Sequence, residues 1–524
     1  MQVGGVGHRW RWLLGFLLLV VALNALYALI QEVNGSNQVL WAARSEQYGM
    51  RASGTFLCPN HFANMLAMLI PLALAILFLS EAGFPLRLMA LYFLGVSAPT
   101  LYLTQSRSGW LGAAGGVGVT LLLLAWRKSR KWFALALVIL PILAAAGGWT
   151  AWTALPAVRL RMGALLHDPE KAGGDRLNMW RDAPAMFKSK PVEGFGAGSY
   201  VWSYPPFQRY VRKHLNYDFP HNEFIQVALE YGAVGLVLVF AGLLACAWGI
   251  TRGVLTARSR TGSFLLAGAG GSLAACLVHA LFDFNFHIFP NPHSLVWIGG
   301  VAWGVWFMRE KGMQASVGAP RRIRWVVAPL GAVVCGVGAW LALTGGVSYI
   351  WNLKAEISRN QLDWDEAEGK YEKSIRWDDR NAHPYQGLGH LKIAQATWFR
   401  NPDLAMEQSE RHRLAQEAAG HFHQALVQNP CDMSIVFGLA RAHNLLGDSE
   451  AALDYFLQAR TYAPRHVFYR EQLGIQLRQM GRDAEALDVF RQNVKDGVAT
   501  EISTLNIRAI ERKQAKEAAA KPMP

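Results

Sequence analysis

Nine apolar runs followed by a polar remainder set the layout of the chain. The runs lie near residues 12–30, 62–80, 87–104, 109–126, 132–152, 222–250, 263–282, 294–308 and 325–346. A helix crossing a bilayer needs about 20 largely apolar residues. All but the eighth read as full spans; the eighth is short and reads as tilted or partly re-entrant. Between the fifth and sixth runs lies a long polar segment. It enters the sixth run through residues 218–235, Asp-Phe-Pro-His-Asn-Glu-Phe-Ile-Gln-Val-Ala-Leu-Glu-Tyr-Gly-Ala-Val-Gly. Pro220 suits the first turn of a helix. Helical spacing then puts His221, Asn222, Glu223, Gln226 and Glu230 near one side. A carboxylate such as Glu230 entering a bilayer normally faces a protein interior or a wet cavity.

Charge gives the runs a direction. The 524 residues carry 51 Lys and Arg against 37 Asp and Glu, a net charge of +14. A basic balance fits nucleic-acid binding in general. Here much of the excess sits in short loops: Arg9 and Arg11, then Arg127, Lys128, Arg130 and Lys131, then Arg252, Arg258 and Arg260, then Arg309, Lys311, Arg321, Arg322 and Arg324. All fall on one side if the N-terminus is cytoplasmic, as the positive-inside rule requires, so the charge speaks for a membrane and against a nucleic-acid partner. Residues 31–61, 105–108, 153–221 and 283–293 are then outside, with everything after the ninth run. The first run also has features of a signal peptide, and cleavage would leave residue 31 outside either way. The five cysteines are scattered without a CxxC pair and read as small buried hydrophobes.

The polar remainder repeats. Gly447 and Gly481, and Pro430 and Pro464, are 34 residues apart, and Phe422, Phe456 and Phe490 keep that period, as do Ala418, Ala452 and Ala486. A 34-residue helical unit with small and aromatic residues at fixed places is the tetratricopeptide signature. A weaker unit runs from Trp364 through Tyr371 to Ile393, offset by an insertion around 397–413. The expected fold class is therefore all-α: a polytopic membrane domain of about nine spans over 1–346, with a large external loop 153–221. An external α-solenoid follows over 352–497, then a helical or disordered tail over 498–524. Such arrays bind peptides or proteins and rarely perform chemistry.

The loop 153–221 holds the richest chemistry. It carries Arg159, Arg161, Arg176, Arg181, Lys188, Lys190, Arg209, Arg212, Lys213 and His214, interleaved with Trp180, Tyr200, Trp202, Tyr204, Tyr210 and Tyr217. Arginine grips phosphate through its planar fork, and flat aromatic faces suit sugar rings. A phosphorylated glycan at the membrane surface fits that mixture; a solvated basic loop touching anionic lipid head groups fits it as well. Arg107 at a short helix junction and Arg51 before the second run add outer-face arginines. Asp363-Trp-Asp365 has the form of a metal-binding DxD string, but an Asp at a helix start is ordinarily a cap.

Several strings together resemble the O-antigen ligase and O-antigen polymerase superfamily. They are Gly54-Thr-Phe with Pro59-Asn60-His-Phe-Ala; Thr104-Gln-Ser-Arg107-Ser-Gly109-Trp-Leu-Gly112; Arg176-Leu-Asn-Met-Trp180 followed by Pro191-Val-Glu-Gly194-Phe-Gly196-Ala-Gly198; His221-Asn222 with Glu230-Tyr-Gly232; and Asp283-Phe-Asn285. Their order and their position on one face carry the resemblance, over roughly residues 50 to 300. It implies a membrane glycosyltransferase of cell-surface polysaccharide synthesis at the outer face of the bacterial cytoplasmic membrane. The donor would be a glycan on a polyprenyl diphosphate and the acceptor a glycan or lipid. Transfer would be inverting and would need neither a nucleotide sugar, a metal nor another cofactor.

By position, the resemblance makes His221 the catalytic base, with Glu230 beside it, and Arg176, Arg107, Arg51 and Arg181 the ligands of the diphosphate. The repeats would recruit an envelope protein. The chain departs from the family in having fewer spans before the large loop. Two other classes compete: a transporter of lipid-linked sugars, with charges deep in several spans, and a non-catalytic envelope scaffold working through its repeats. Catalysis requires His221, Arg176 and Arg107 to converge.

Overall fold

The computed structural model describes residues 9–39, 42–168, 173–210, 217–311, 321–398 and 408–519. Arg212, Lys213, His214 and most of the insertion around 397–413 lie outside them. The chain forms two compact units. One comprises residues up to 200 together with 218–317; the other comprises 201–217 and everything from 318 onward.

The first unit is a bundle of α1 (Arg9–Val33), α2 (Pro59–Leu77), α3 (Phe84–Leu103), α4 (Arg107–Lys128), α5 (Arg130–Ala154), α6 (Pro156–His167), α7 (Arg176–Ser189), α8 (Glu223–Thr256), α9 (Arg260–Ala280) and α10 (Pro290–Lys311). Seven of its helices, α1 to α5, α8 and α9, are long and apolar enough to cross a membrane, among the described residues. The eighth and ninth runs are also helical, as α10 and the start of α11 (Arg321–Asn360).

Helices α2, α4 and α9 form the centre. Small residues let α4 and α9 close up: a Cβ on Gly116 would lie 2.6 Å from the Gly271 carbonyl oxygen, so only hydrogen fits there. Buried hydroxyls find backbone partners across the seam, as Thr120 Oγ1 does on Ala267 O at 3.2 Å. Around this core, α5 buries none of its residues and the middle of α8 is largely exposed, with Leu, Val, Ile and Trp outward. Helix α4 alone, with 22 residues, separates its two ends by about 30 Å at 1.5 Å per residue. Arg127, at the far end, caps α8 through Val254 O (3.0 Å) and Ala257 O (2.7 Å). Arg107 opens the other end, where the loops discussed below gather.

The second unit stacks helical hairpins: α11 with α12 (Trp364–Trp377), α13 (Ala382–Trp398) with α14 (Gln408–Gln428), α15 (Met433–Leu445) with α16 (Ser449–Tyr462), and α17 (Val467–Gln479) with α18 (Asp483–Lys495). Helix α19 (Glu501–Ala519) closes the series. The 34-residue period has a packing cause. Phe422 and Phe490 are fully buried, and their rings fill the space beside Gly438 and Gly474, where a Cβ would come within 2.4 and 2.6 Å. Asp363, of the DxD string, caps α12 by accepting from Glu366 N at 3.3 Å. Residues 201–210 pack in this unit: the Tyr462 hydroxyl donates to Trp202 O at 2.9 Å, and Arg465 donates to Arg209 O.

Candidate functional site

The structure changes the reading of 218–235. Pro220 lies ahead of the helix, its carbonyl accepting from Trp180 Nε1 at 2.8 Å. Asn222 is the N-cap, with Oδ1 accepting from Phe224 N and Ile225 N at 3.0 Å each. Its Nδ2 donates to Leu281 O at 2.9 Å, tying the helix start to the turn after α9. His221, just before the cap, has φ +54°. A side chain in this left-handed region costs about 1–2 kcal/mol, and such strain is held where surrounding structure over-determines it. Here it aims the ring at Asp283, with Nδ1 3.1 Å from Oδ1.

Asp283 is the centre of the arrangement. Its side chain is 1% exposed. Oδ1 accepts from Phe284 N (3.0 Å) and faces His221; Oδ2 accepts from Asn60 Nδ2 (2.9 Å) and lies 3.7 Å from Arg176 Nη2. Burial alone pushes the Asp283 carboxyl up. The Arg176 guanidinium and the His221 contact outweigh it and hold the carboxyl well below the usual carboxylate range. An ionised carboxylate only accepts, so His221 Nδ1 carries the proton and Nε2 is left as a base. Phe284 supports the pair: the rings of His221 and His61 both stand edge-on to it, each at 4.9 Å.

Beside this pair is a cavity of about 410 Å³. Four arginines from separate segments line it: Arg51 before α2, Arg107 at the start of α4, Arg161 on α6 and Arg176 at the start of α7. Among the described residues no Asp or Glu lines it. Arg51 is anchored by Thr104 O (2.8 Å) and Asn60 Oδ1 (2.6 Å), and Arg176 by Phe282 O (2.7 Å). Burial, reinforced by Arg161 and Arg176, lowers Arg51 from its ordinary value to about 10. Arg161 is lowered by burial and by Arg176. Arginine does not give up its proton in water at neutral pH, so mutual repulsion in a partly dry site is relieved by an anion. Leu111, Met162, Leu165, Leu177, Trp180 and Phe282 form the apolar part of the wall.

Arg51, Arg107 and Arg176 therefore meet at one cavity. His221 is not among its lining residues; it joins the cavity through Asp283, which touches both His221 and Arg176. Arg181 lies on α7 with Nη1 3.3 Å from Asn178 Oδ1, and it does not line the cavity.

Glu230 is engaged elsewhere, because helical spacing carries it away from a histidine that sits outside the helix. Its carboxylate accepts from Gly198 N (3.0 Å), Tyr200 N (3.2 Å) and Gln226 Nε2 (3.1 Å). It fastens the turn-rich segment 191–200 to a break in α8 at Gly232 (φ +63°). There Phe195 N donates to Leu229 O, Gly196 N to Glu230 O and Ala233 N to Pro191 O. The two backbones touch: a Cβ on Gly232 would lie 2.1 Å from Val192 O, and one on Gly194 2.5 Å from the Glu230 carbonyl. Glu230 thus holds the loop that connects Arg176 to His221. His287 closes the other side of the same polar face, with Nδ1 3.3 Å from Glu223 Oε2, and that contact raises its pKa. His293 bonds Phe289 O at 2.7 Å.

Sequence reasoning noticed Asp283 only as part of a string and Arg161 only as one basic residue among ten. Asp283 had one available signal: a carboxylate just past an apolar run, on the side to which loop charge also assigns His221.

Residues 90–240 match the family model described as O-Antigen ligase. The matched segment includes Arg107, Arg161, Arg176, His221 and Glu230, and leaves out Arg51, Asn60 and Asp283. No curated protein sequence matches the chain. The match over α3 to the first part of α8, on a bundle with seven helices able to cross a membrane, supports a multi-pass membrane enzyme of cell-surface polysaccharide synthesis similar to the O-antigen ligases.

Proposed function

We propose that the chain is an inverting, metal-independent glycosyltransferase that moves or polymerises a polyprenyl-diphosphate-linked glycan at the outer face of the bacterial cytoplasmic membrane. One observation carries the reading: four arginines from segments distant in sequence converge on a cavity with no Asp or Glu among its described lining residues, next to a histidine held by a buried aspartate. The diphosphate lies among Arg51, Arg107, Arg161 and Arg176, with the lipid tail toward Leu111 and Leu165. The acceptor hydroxyl gives its proton to His221 Nε2 as its oxygen attacks the anomeric carbon. The bond from that carbon to the diphosphate oxygen breaks, its electron pair leaves with the diphosphate, and the arginines stabilise the charge that develops. The hairpins of the second unit, read as tetratricopeptide repeats, recruit an envelope protein or position the acceptor.

The test incubates purified protein with a lipid-linked oligosaccharide and an acceptor. A ladder of products identifies a polymerase, and a single product a ligase. His221→Ala should abolish either. Equal activity in that variant removes His221 as the base, and no transfer by the wild type with any lipid-linked glycan removes the enzymatic reading.

A further inference from the structure

Behind the arginine cavity runs a line of buried polar groups that the reaction above does not use. It begins at a backbone oxygen. The His61 carbonyl only accepts, so Asn291, 3.2 Å away, turns its amide nitrogen toward it. The same nitrogen lies 3.5 Å from Asn285 Oδ1. Asn285 therefore has its oxygen on that side and its nitrogen on the other, 2.5 Å from His279 Nδ1. A ring nitrogen that receives a hydrogen bond carries no proton, so the proton of His279 is on Nε2. That nitrogen lies 3.1 Å from Ser108 Oγ, which accepts from it. Asn291, Asn285 and His279 are each 0% exposed, and burial removes bulk water as a competitor for this order of donors.

Of these residues only Ser108 lines the cavity. Its oxygen accepts from His279 on the α9 side, which leaves its own hydrogen to turn either onto Ser106 Oγ, 3.3 Å away, or into the cavity that both serines line. The direction also rules out a nucleophilic serine, because a nitrogen that already holds a proton cannot take one from the hydroxyl.

We propose that Ser108 donates a hydrogen bond to a phosphate oxygen of the donor's diphosphate, and that the relay Asn291–Asn285–His279 keeps it in that orientation. The assignment rests on the reading of the cavity as the diphosphate site and adds to it. Four arginines supply charge on long stems; a short serine at the first turn of α4 supplies a fixed point, so the diphosphate is seated in one register.

The experiment titrates inorganic pyrophosphate into the detergent-solubilised full-length protein by calorimetry, with melting temperatures measured without pyrophosphate as the folding control. Loss of one hydrogen bond to a charged group predicts about tenfold weaker binding in Ser108→Ala. Ser108→Thr, which keeps the hydroxyl, should bind like the wild type. Ser108→Cys, a weak donor of similar size, serves if alanine unfolds the protein and should show the same loss as alanine. His279→Phe keeps the hydroxyl but removes the group that directs it, and should also bind more weakly. Wild-type affinity in Ser108→Ala overturns the serine's role while leaving the cavity reading intact, and wild-type affinity in His279→Phe overturns the relay. Absence of pyrophosphate binding by the wild type overturns the cavity reading itself and this assignment with it.

Discussion

Replacing Asp283 by Asn tests the site at its most connected atom pair. The two side chains are nearly the same size, so the buried volume is kept. What changes is the partner of His221 Nδ1, now 3.1 Å from a carboxylate oxygen. An amide turned to present its nitrogen there would make Nδ1 the acceptor and shift the ring proton to Nε2, where the acceptor hydroxyl must bind. An amide turned the other way still withdraws the charge that stabilises the imidazolium. General-base assistance contributes about 10²–10⁴-fold, which is about 3–5 kcal/mol of barrier at 1.36 kcal/mol per decade. Single-turnover transfer from a lipid-linked oligosaccharide, with donor saturating, should fall by about that factor in Asp283→Asn. Donor binding should move the other way or not at all, because the substitution removes a negative charge 3.7 Å from Arg176. A large loss in rate with unchanged or tighter pyrophosphate binding is the expected pair of results. A variant within about threefold of the wild-type rate would refute the assignment of Asp283 as the group that orients the base.

The arginines should separate by position. Arg51→Gln, Arg107→Gln and Arg176→Gln should each weaken pyrophosphate binding by about tenfold or more, whereas Arg181→Gln, away from the cavity, should stay near the wild type by the same calorimetry. His287 has its pKa raised from an ordinary 6.5 by Glu223. A raised folded-state pKa gives stability that is fully present below the unfolded value and is lost as pH rises through the folded value. The melting temperature should therefore fall as pH rises above about 6.5, and this fall should be absent in Glu223→Gln; an unchanged profile in that variant would count against the pair. Gly232→Ala meets both a left-handed backbone and a carbonyl oxygen 2.1 Å from the new Cβ. It should cost more than about 2 kcal/mol, visible as a lower melting temperature and as faster proteolysis within 191–200.

What was legible in the sequence follows from what is local. Helices stand at all nine apolar runs, because length and apolarity are properties of a short window. Of the four arginines that meet at the cavity, Arg107 sits at the edge of such a run and the others in loops, all on the face assigned by loop charge. Asp283 was not legible as the hub because its partners Asn60, Arg176 and His221 lie 223, 107 and 62 positions away; only packing brings them together. Glu230 was misjudged for a local reason. Helical spacing was extended back through His221, whereas the helix begins at Glu223 and His221 occupies left-handed backbone ahead of the cap. The helix break at Gly232 was hidden as well, since a glycine within an apolar run reads as an ordinary member of a span.

These two hidden features explain each other. A continuous helix through residue 232 would keep its backbone groups to itself and leave Phe195 N and Gly196 N without these partners. The break frees Leu229 O and Glu230 O to accept from Phe195 N and Gly196 N, and the Glu230 carboxylate takes Gly198 N and Tyr200 N just beyond. The end of the segment after α7 is thereby fixed to the same short helix whose cap positions His221. Arg176 opens α7 and His221 precedes α8, and both are drawn to Asp283, which follows α9. Glu230 thus acts on the site through the backbone of 191–200. Glu230→Gln preserves size but offers only one acceptor oxygen, so it should lower stability and leave the pH dependence of transfer by the remaining folded protein unchanged. Asp283→Asn should do the reverse. If Glu230→Gln moved the pH profile as Asp283→Asn does, Glu230 would have to belong to the proton-transfer machinery after all.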